Sequence, residues 1–147
     1  MNIYFICTGN TCRSPMATAI LKSKDIPNVS VKSAGIYAQE GSPMSQNAQY
    51  VLNQKNIMHE HQSMPFTLED AQWADVILTM TTAHKEMIQQ ISRDVAHKTF
   101  TLKEYVAMDG QVNVQDPYGG DIALYEQTYE ELNEAIDQLV NKLRMGD

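Results

Sequence analysis

Cysteines and long apolar runs are scarce in this sequence, and each scarcity excludes a class of protein. The 147 residues include two cysteines, Cys7 and Cys12, which are too few and too close together for the disulfide framework of a small secreted protein. No apolar run approaches the roughly 20 residues of a membrane-spanning helix. The first residues lack the basic flank and small-residue cleavage site of a secretory signal. We therefore expect a cytoplasmic protein with no membrane partner.

Basic residues are also scarce. The chain has 11 lysine and arginine residues against 18 aspartate and glutamate residues, so its formal net charge is −7. An acidic chain without a basic stripe lacks the electrostatic footprint of a nucleic-acid-binding protein. Nucleic acid is therefore not an expected partner, whereas a substrate with positively charged surroundings is compatible with this charge.

The motifs of nucleotide and metal sites are absent from the sequence. Neither Gly-x4-Gly-Lys-Ser/Thr nor Gly-x-Gly-x-x-Gly occurs. The histidines do not combine with the two cysteines at the spacing of zinc ligands. We expect no metal and no cofactor, and we interpret His84, which follows a predicted helix cap, as a surface or supporting residue of its helix.

Strand-like apolar segments alternate with amphipathic helical patterns along the chain. Strands are predicted over residues 2–7, 29–33, 75–80 and 99–102, and the continuous apolar run of the third is typical of a parallel sheet covered on both faces. This alternation predicts an α/β fold with an open, four-stranded parallel sheet and helices on both faces. Because no linker or internal repeat is visible, residues 1–147 are expected to form a single domain.

Capping residues indicate where the helices begin. The predicted caps are Ser42 or Ser45, Thr67, Thr81 or Thr82, and Asp121. The last helix repeats apolar residues at spacings of three and four, which fits either an amphipathic helix on a sheet or a coiled-coil seam. The polar segment 108–120 is long for a loop in a compact domain, and loops of that length are usually functional or mobile.

The segment with the clearest chemistry is residues 7–14, which read Cys-Thr-Gly-Asn-Thr-Cys-Arg-Ser. It joins the first strand to a helix with Pro15 in its first turn. Successive N–H groups in such a loop, at a helix N-terminus, form an anion-binding cradle. Cys7 lies at its floor, where the helix dipole and the N–H donors are expected to lower the pKa of the thiol. Arg13 can bind a phosphate-like oxyanion through two N–H groups, and Ser14 can donate to the thiolate.

These residue types predict a thiolate nucleophile inside a phosphate site, and therefore phosphoryl transfer to sulfur. Gly9 is expected to allow a backbone conformation that other residues avoid. Simpler interpretations remain for some residues: a buried structural cysteine at position 7, a surface ion pair for Arg13, and inert packing for Cys12. The predicted phosphate-binding residues are Thr8, Gly9, Asn10, Thr11, Cys12, Arg13 and Ser14.

The N-terminal Cys-x5-Arg-Ser motif, with Asp116-Pro117 late in the chain, resembles the low-molecular-weight protein-tyrosine phosphatases over essentially the whole sequence. Residues 7–14 together with 116–120 (Asp-Pro-Tyr-Gly-Gly) look like the bacterial protein-arginine phosphatase branch. The resemblance implies a Rossmann-like fold, and a hydrogen-bonding role for Asn10 in shaping the loop. It also implies that Cys12 forms a reversible disulfide that protects Cys7 from over-oxidation. The implied catalytic residues are Cys7 as nucleophile, Arg13 as phosphate ligand and Asp116 as acid and base.

Two features favour phosphoarginine over phosphotyrosine as the substrate. Tyrosine-directed relatives typically carry a bulky aliphatic residue where Thr11 stands, and often a second aromatic residue where this chain has Gly119 and Gly120. Thr11 is smaller and the glycines leave room, while Tyr118 is placed to form a wall of the pocket. A guanidinium leaving group is planar, cationic and rich in donors, so Asp116 could both hydrogen-bond it and balance its charge.

The resulting hypothesis is a metal-independent phosphatase that forms a phosphocysteine and acts on phosphorylated proteins. Phosphotyrosine is the alternative to phosphoarginine. Arsenate reductase on the same scaffold ranks lower, because enzymes of that kind use cysteines further along the chain and none follows Cys12. A non-catalytic phosphoprotein-binding module also ranks lower, because Cys7, Arg13 and Asp116 are all present. We expect the protein to be a monomer.

Overall fold

Four parallel strands form the sheet at the centre of the molecule. The computed structural model describes residues 1–145, and in it the strands lie in the order β2-β1-β3-β4. They are β1 Asn2–Cys7, β2 Ser30–Gly35, β3 Val76–Thr79 and β4 Thr99–Thr101. β1 pairs in parallel with β2 along its whole length and with β3 on its other side. The predicted four-stranded parallel sheet is confirmed, and Cys7 ends a central strand, where such folds bind ligands.

Helices cover both faces of this sheet. They are α1 Arg13–Ser23, α2 Gln46–Gln54, α3 Leu68–Trp73, α4 Thr82–Ile91, α5 Leu102–Tyr105 and α6 Ile122–Arg144, with a 3-10 helix over Arg93–Lys98. Ser45, Thr67, Thr81 and Asp121 each accept the backbone N–H of the third residue after them, so one predicted cap is confirmed at each of these helix starts. The sequence pattern does not predict α5 or the 3-10 helix, because neither is long enough to show a helical period.

Side chains of β1 alternate between two apolar cores. Ile3, Phe5 and Cys7 belong to the core that includes residues of α1, α2 and α6, whereas Tyr4 and Ile6 belong to the core that includes residues of α3 and α4. All five side chains are at most 3% exposed. A strand buried on both faces must be apolar at every position, which is why residues 3–6 read as a continuous apolar run.

The last helix packs on the molecule along one apolar stripe. In α6 the buried positions include Tyr129, Leu132, Ile136 and Leu139, and the helix contacts α1 and α2. The amphipathic interpretation is therefore confirmed over the coiled-coil alternative, because the chain itself covers the stripe.

Within residues 1–145, no helix combines the length and apolar character needed to cross a membrane.

Gly35 ends β2 directly beneath the loop that follows β1. A Cβ atom at this position would lie 2.4 Å from the Thr8 carbonyl oxygen and 2.8 Å from the Asn10 nitrogen. Backbone hydrogen bonds fix the approach, since Ile36 N–H donates to the Cys7 carbonyl at 3.0 Å and Tyr37 N–H donates to the Thr8 carbonyl at 2.9 Å. Only a residue without a Cβ lets the loop rest on the sheet in this way.

We predict that Gly35→Ala lowers the free energy of unfolding by about 2 kcal/mol, because the new methyl group overlaps backbone atoms that cannot move without breaking hydrogen bonds. Urea denaturation of both proteins measures the difference. Gly9→Ala is the control: its Cβ would meet only Thr11 Oγ1, at 3.7 Å, so its unfolding free energy should stay within about 0.5 kcal/mol of the parent. Equal losses in the two variants would contradict the proposed overlap.

Candidate active site

Asn10 holds the loop between β1 and α1 in shape. The residue is fully buried, and its φ of 57° lies in the left-handed region. Its side-chain amide donates to Ser14 Oγ at 2.7 Å and to Ser33 Oγ at 3.0 Å, and its side-chain oxygen accepts the Met64 N–H at 2.9 Å. These bonds tie the loop to α1, β2 and the segment 61–64, which agrees with the shaping role implied by the resemblance.

The segment 61–64 is a part of the site that sequence reasoning does not identify. The Asn10 carbonyl accepts the Ser63 hydroxyl at 2.7 Å and the His61 Nε2–H at 2.6 Å. Burial lowers the pKa of His61, which keeps its ring neutral. No local pattern signals these contacts, because the partners are more than 50 residues apart in the chain.

Gly9 does not have the conformation expected for it. Its φ lies outside the left-handed region, which Asn10 occupies instead. The prediction for Gly9 was wrong because asparagine also tolerates a positive φ, and here its hydrogen bonds stabilise that conformation. Gly9 lines the cleft described below, where the lack of a side chain leaves space.

The Cys7 thiol is buried at the end of β1. Its Sγ lies 2.8 Å from Ser14 Oγ, the partner expected from the sequence. Burial raises the pKa of the thiol, because removing a thiolate from water is costly; the Ser14 hydrogen bonds and the charge of Arg13 act in the opposite direction. The low pKa expected from the sequence is therefore contradicted, since desolvation outweighs these favourable interactions.

The N-terminus of α1 has no capping side chain. Cys12 occupies the cap position and makes no side-chain bond to the first turn, whereas α2 to α6 each have a capping hydroxyl or carboxylate. Unpartnered N–H groups at a helix start favour an anion. The first turn of α1 thus provides donors next to the Cys7 thiol.

Arg13 is buried, with 4% of its surface exposed, and its guanidinium is held at both ends. Nη1 donates to the Val114 carbonyl at 3.1 Å, while Nη2 donates to Thr8 Oγ1 at 3.4 Å and lies 3.4 Å from Asp116 Oδ2. The Asp116 side chain is 49% exposed, so this ion pair is screened by water. The structure therefore brings two of the predicted catalytic residues, Arg13 and Asp116, into direct contact.

A cleft of about 310 Å³ is lined by the predicted site residues except Asn10 and Ser14, which are buried and do not line it. It is lined by Cys7, Thr8, Gly9, Thr11, Cys12, Arg13, Tyr37, Gln39, Ser42, Asp116 and Tyr118. Tyr118 is 77% exposed and forms part of the wall, as predicted, and Tyr37, which sequence reasoning does not identify, is 72% exposed. Asp116 Oδ1 accepts the Tyr118 N–H at 3.1 Å, which orients the carboxylate within its turn.

Of the two interpretations that the sequence leaves for His84, a surface residue or a supporting one, the structure agrees with the second. The residue is only 6% exposed and its Nε2 lies 2.8 Å from Thr8 Oγ1, a contact that the sequence does not predict. Burial lowers the pKa of His84 to about 4, and the charge of Arg13 acts in the same direction. The ring is therefore neutral near pH 7.

Cys12 is buried and lies against hydroxyl groups. Its Sγ is 3.3 Å from the Tyr125 hydroxyl and 3.5 Å from Ser45 Oγ, and both cysteines are free thiols. Burial raises the pKa of Tyr125 to about 12, with Cys12 contributing. The disulfide between Cys12 and Cys7 stays a prediction.

Within residues 1–145, no group of three or more histidine, cysteine or acidic side chains is placed to hold a metal ion.

Comparison with known proteins gives one consistent family. The family model "Low molecular weight phosphotyrosine protein phosphatase" matches residues 2–146. The YwlE arginine phosphatase from Geobacillus stearothermophilus is 46% identical with a TM-score of 0.95, covering 99% of this chain and 94% of that one. A YwlE arginine phosphatase C7S mutant with a phosphorylated active-site serine is 43% identical with a TM-score of 0.93, covering 98% and 96%. PtpB, a low molecular weight protein-tyrosine-phosphatase from Staphylococcus epidermidis, is 39% identical over 139 residues, 95% of this chain and 96% of its own.

We predict that acid destabilises the protein partly through His84. Unfolded histidine binds a proton near pH 6.5, whereas His84 in the folded protein does so only near pH 4, so the unfolded state binds more protons between these values. The free energy of unfolding should therefore fall as pH drops through this window, with His84 contributing up to about 2 kcal/mol by pH 4.5.

The measurement is urea denaturation at pH 7 and pH 4.5. His84→Gln should lose less stability between the two values than the parent, whatever its stability at pH 7. His97, an exposed residue of the 3-10 helix, gives the control, and His97→Gln should keep the full acid dependence. An unchanged acid dependence in His84→Gln would contradict the interpretation.

Proposed function

Because the chain belongs to the low molecular weight phosphotyrosine protein phosphatase family, we propose that it hydrolyses phosphoarginine in proteins through a phosphocysteine on Cys7. The observation that carries this proposal is the arrangement of the buried Cys7 thiol, the buried Arg13 guanidinium and the exposed Asp116 carboxylate around one cleft. We propose that residues 1–147 act as one phosphatase domain, as a monomer in the cytoplasm.

Substrate binding depends on the cradle formed by the loop and α1. The phosphoryl oxygens accept N–H groups of residues 8–14, and Arg13 Nη2 exchanges its contact with the Asp116 carboxylate for the phosphoryl group while it continues to donate to Thr8. This exchange costs little, because the exposed Asp116 remains hydrated. Arg13 and the first turn of α1 supply the positive charge that the transition state needs, so the step requires no metal.

Attack by sulfur breaks the bond between phosphorus and nitrogen. Cys7 gives up its proton to solvent, and the Ser14 hydroxyl, 2.8 Å away, donates to the thiolate. The thiolate attacks phosphorus in line with the departing group, and protonated Asp116 delivers its proton to the guanidine nitrogen that leaves. The products of this step are phosphocysteine, an arginine side chain and an ionised Asp116.

Water completes the cycle. Asp116, now a carboxylate, accepts a proton from the water that attacks the phosphocysteine. The bond between phosphorus and sulfur breaks, inorganic phosphate leaves, and the thiolate of Cys7 is restored. The phosphorylated active-site serine of the YwlE C7S mutant supports covalent transfer at the corresponding position of that protein.

The walls of the cleft support a guanidinium leaving group. Once Asp116 has delivered its proton, it is a carboxylate that can accept from the departing guanidinium and balance its charge. Gly119 has a φ of 78°, and a Cβ atom at Gly120 would lie 2.9 Å from the backbone carbonyl oxygen of Pro117. The loop backbone therefore does not accept a second aromatic residue at 120 without moving, and the phosphotyrosine alternative lacks that contact.

We predict faster cleavage of phosphoarginine than of phosphotyrosine. The experiment compares kcat/KM on matched peptides under reducing conditions, with Cys7→Ser as the inactive control. A ratio of at least about tenfold is expected, because Asp116 complements a cationic leaving group and the segment after Tyr118 carries glycines in place of a second aromatic residue for an aromatic leaving group. Faster cleavage of phosphotyrosine would assign the protein to the alternative, and turnover that survives Cys7→Ser would refute the nucleophile.

Thr11 gives a second test of selectivity. We predict that Thr11→Ile shifts the ratio of the two kcat/KM values toward phosphotyrosine by about tenfold, because a bulky aliphatic side chain packs on an aromatic leaving group. Thr11→Val is the matched control, because it removes the hydroxyl with little change in volume. A ratio that is unchanged in Thr11→Ile would exclude Thr11 from selectivity, and an equal shift in Thr11→Val would assign the effect to the hydroxyl.

A further inference from the structure

His84 connects the start of α4 to the loop between β1 and α1. Its Nδ1 lies 2.9 Å from Oγ1 of the cap residue Thr81, and its Nε2 lies 2.8 Å from Thr8 Oγ1. Thr8 in turn accepts from Arg13 Nη2 at 3.4 Å and is exposed to the cleft. A single chain of hydrogen bonds therefore runs from α4 through a buried ring to the hydroxyl of Thr8, a residue that lines the cleft.

The direction of these hydrogen bonds depends on how many protons and lone pairs each group has. A threonine hydroxyl has one proton and two lone pairs, and an arginine guanidinium can only donate. Thr81 Oγ1 already accepts the His84 backbone N–H at 3.2 Å, so its own proton is available for Nδ1. If Nδ1 accepts that proton, the neutral ring carries its hydrogen on Nε2 and donates it to Thr8.

We propose that His84 is a positioning residue that donates its Nε2–H to Thr8 and thereby directs the Thr8 hydroxyl proton toward the substrate phosphoryl group. With Arg13 and His84 both donating to it, the Thr8 oxygen has no lone pair left, and its proton is free for a phosphoryl oxygen. The inference rests on the proposed function only in requiring a phosphoryl group in the cleft.

The charge state of His84 suits this role. Burial lowers its pKa to about 4; the charge of Arg13 acts in the same direction and Asp116 opposes it. A neutral ring keeps one donor and one acceptor, whereas a protonated ring could not accept from Thr81. The opposite neutral tautomer would use the Thr8 proton on Nε2, and the phosphoryl group would lose a donor.

Nitrogen NMR of the 15N-labelled protein reads the tautomer directly. The His84 signals are assigned by their loss in His84→Gln. The expected spectrum has the proton on Nε2 and a bare Nδ1, in the absence of any substrate. A proton on Nδ1 would overturn the proposal, whatever the enzyme cleaves.

Substitutions of His84 then test its effect on the binding of inorganic phosphate. An amide at position 84 can imitate either ring nitrogen: glutamine places its NH2 group near Nε2, and asparagine places its own near Nδ1. We therefore expect His84→Asn to weaken binding of inorganic phosphate and to lower kcat/KM by about tenfold, the value of one hydrogen bond to a charged group, while His84→Gln retains most of both.

Thr8 supplies the coupling test. Thr8→Val should cost about as much as His84→Asn, Thr8→Ser should be mild, and the double variant Thr8→Val, His84→Asn should be no worse than Thr8→Val alone. Additive losses, or equal losses in His84→Asn and His84→Gln, would overturn the proposal. Circular dichroism checks folding, and the Thr8 variants decide the outcome if His84→Asn does not fold.

The two proposals fail in different ways. Phosphate binding and the tautomer do not depend on which phosphorylated residue is cleaved, so they can support the role of His84 even if phosphotyrosine is the better substrate. Conversely, a clear preference for phosphoarginine combined with additive losses at Thr8 and His84 would retain the proposed function and refute this positioning role.

Discussion

The hydrogen bonds of Asn10 are the constraint on which the site depends. The residue is buried with a left-handed backbone, a conformation that costs a non-glycine residue about 1 kcal/mol or more. Five hydrogen bonds from side chain and carbonyl offset that cost, at roughly 1 kcal/mol each. Without them the loop would relax, and it would lose its attachment to α1, β2 and residues 61–64.

The net charge of the chain does not indicate the local charge of this site. The chain is acidic overall, at −7, yet its cleft contains a buried guanidinium and an uncapped helix N-terminus. Arg13 is held by a carbonyl and a hydroxyl, so its only charged contact given by the structure is the half-exposed Asp116. Because water screens this ion pair, the contact is easily exchanged, as the proposed roles of Arg13 in binding phosphate and of Asp116 in delivering a proton require.

Local patterns predicted much of the fold and part of the site. Strand periodicity and caps such as Thr67 and Asp121 depend on neighbours a few residues away, so the sequence alone reveals them. The Cys7 and Ser14 contact follows from motif spacing in the same way. The contacts of His61 and His84 with the loop were not predicted, because their partners lie 51 and 76 residues away. The prediction of a low pKa for the Cys7 thiol was wrong, because desolvation depends on the packing around the thiol and no motif encodes that packing.

The cradle and the exposed aromatic walls of the cleft come from different parts of this structure. The cradle is built from the end of β1, its loop and the start of α1, which must keep their geometry for any phosphoryl transfer. The walls come from separate segments that bear Tyr37 and Tyr118, both exposed and therefore free of the packing that constrains the cradle. In the proposed mechanism, a change at Tyr37 or Tyr118 would alter the contact with the leaving group while Cys7 and Arg13 keep their positions. Such a division is consistent with a family whose members include a protein named for phosphoarginine, 46% identical to this chain, and one named for phosphotyrosine, 39% identical.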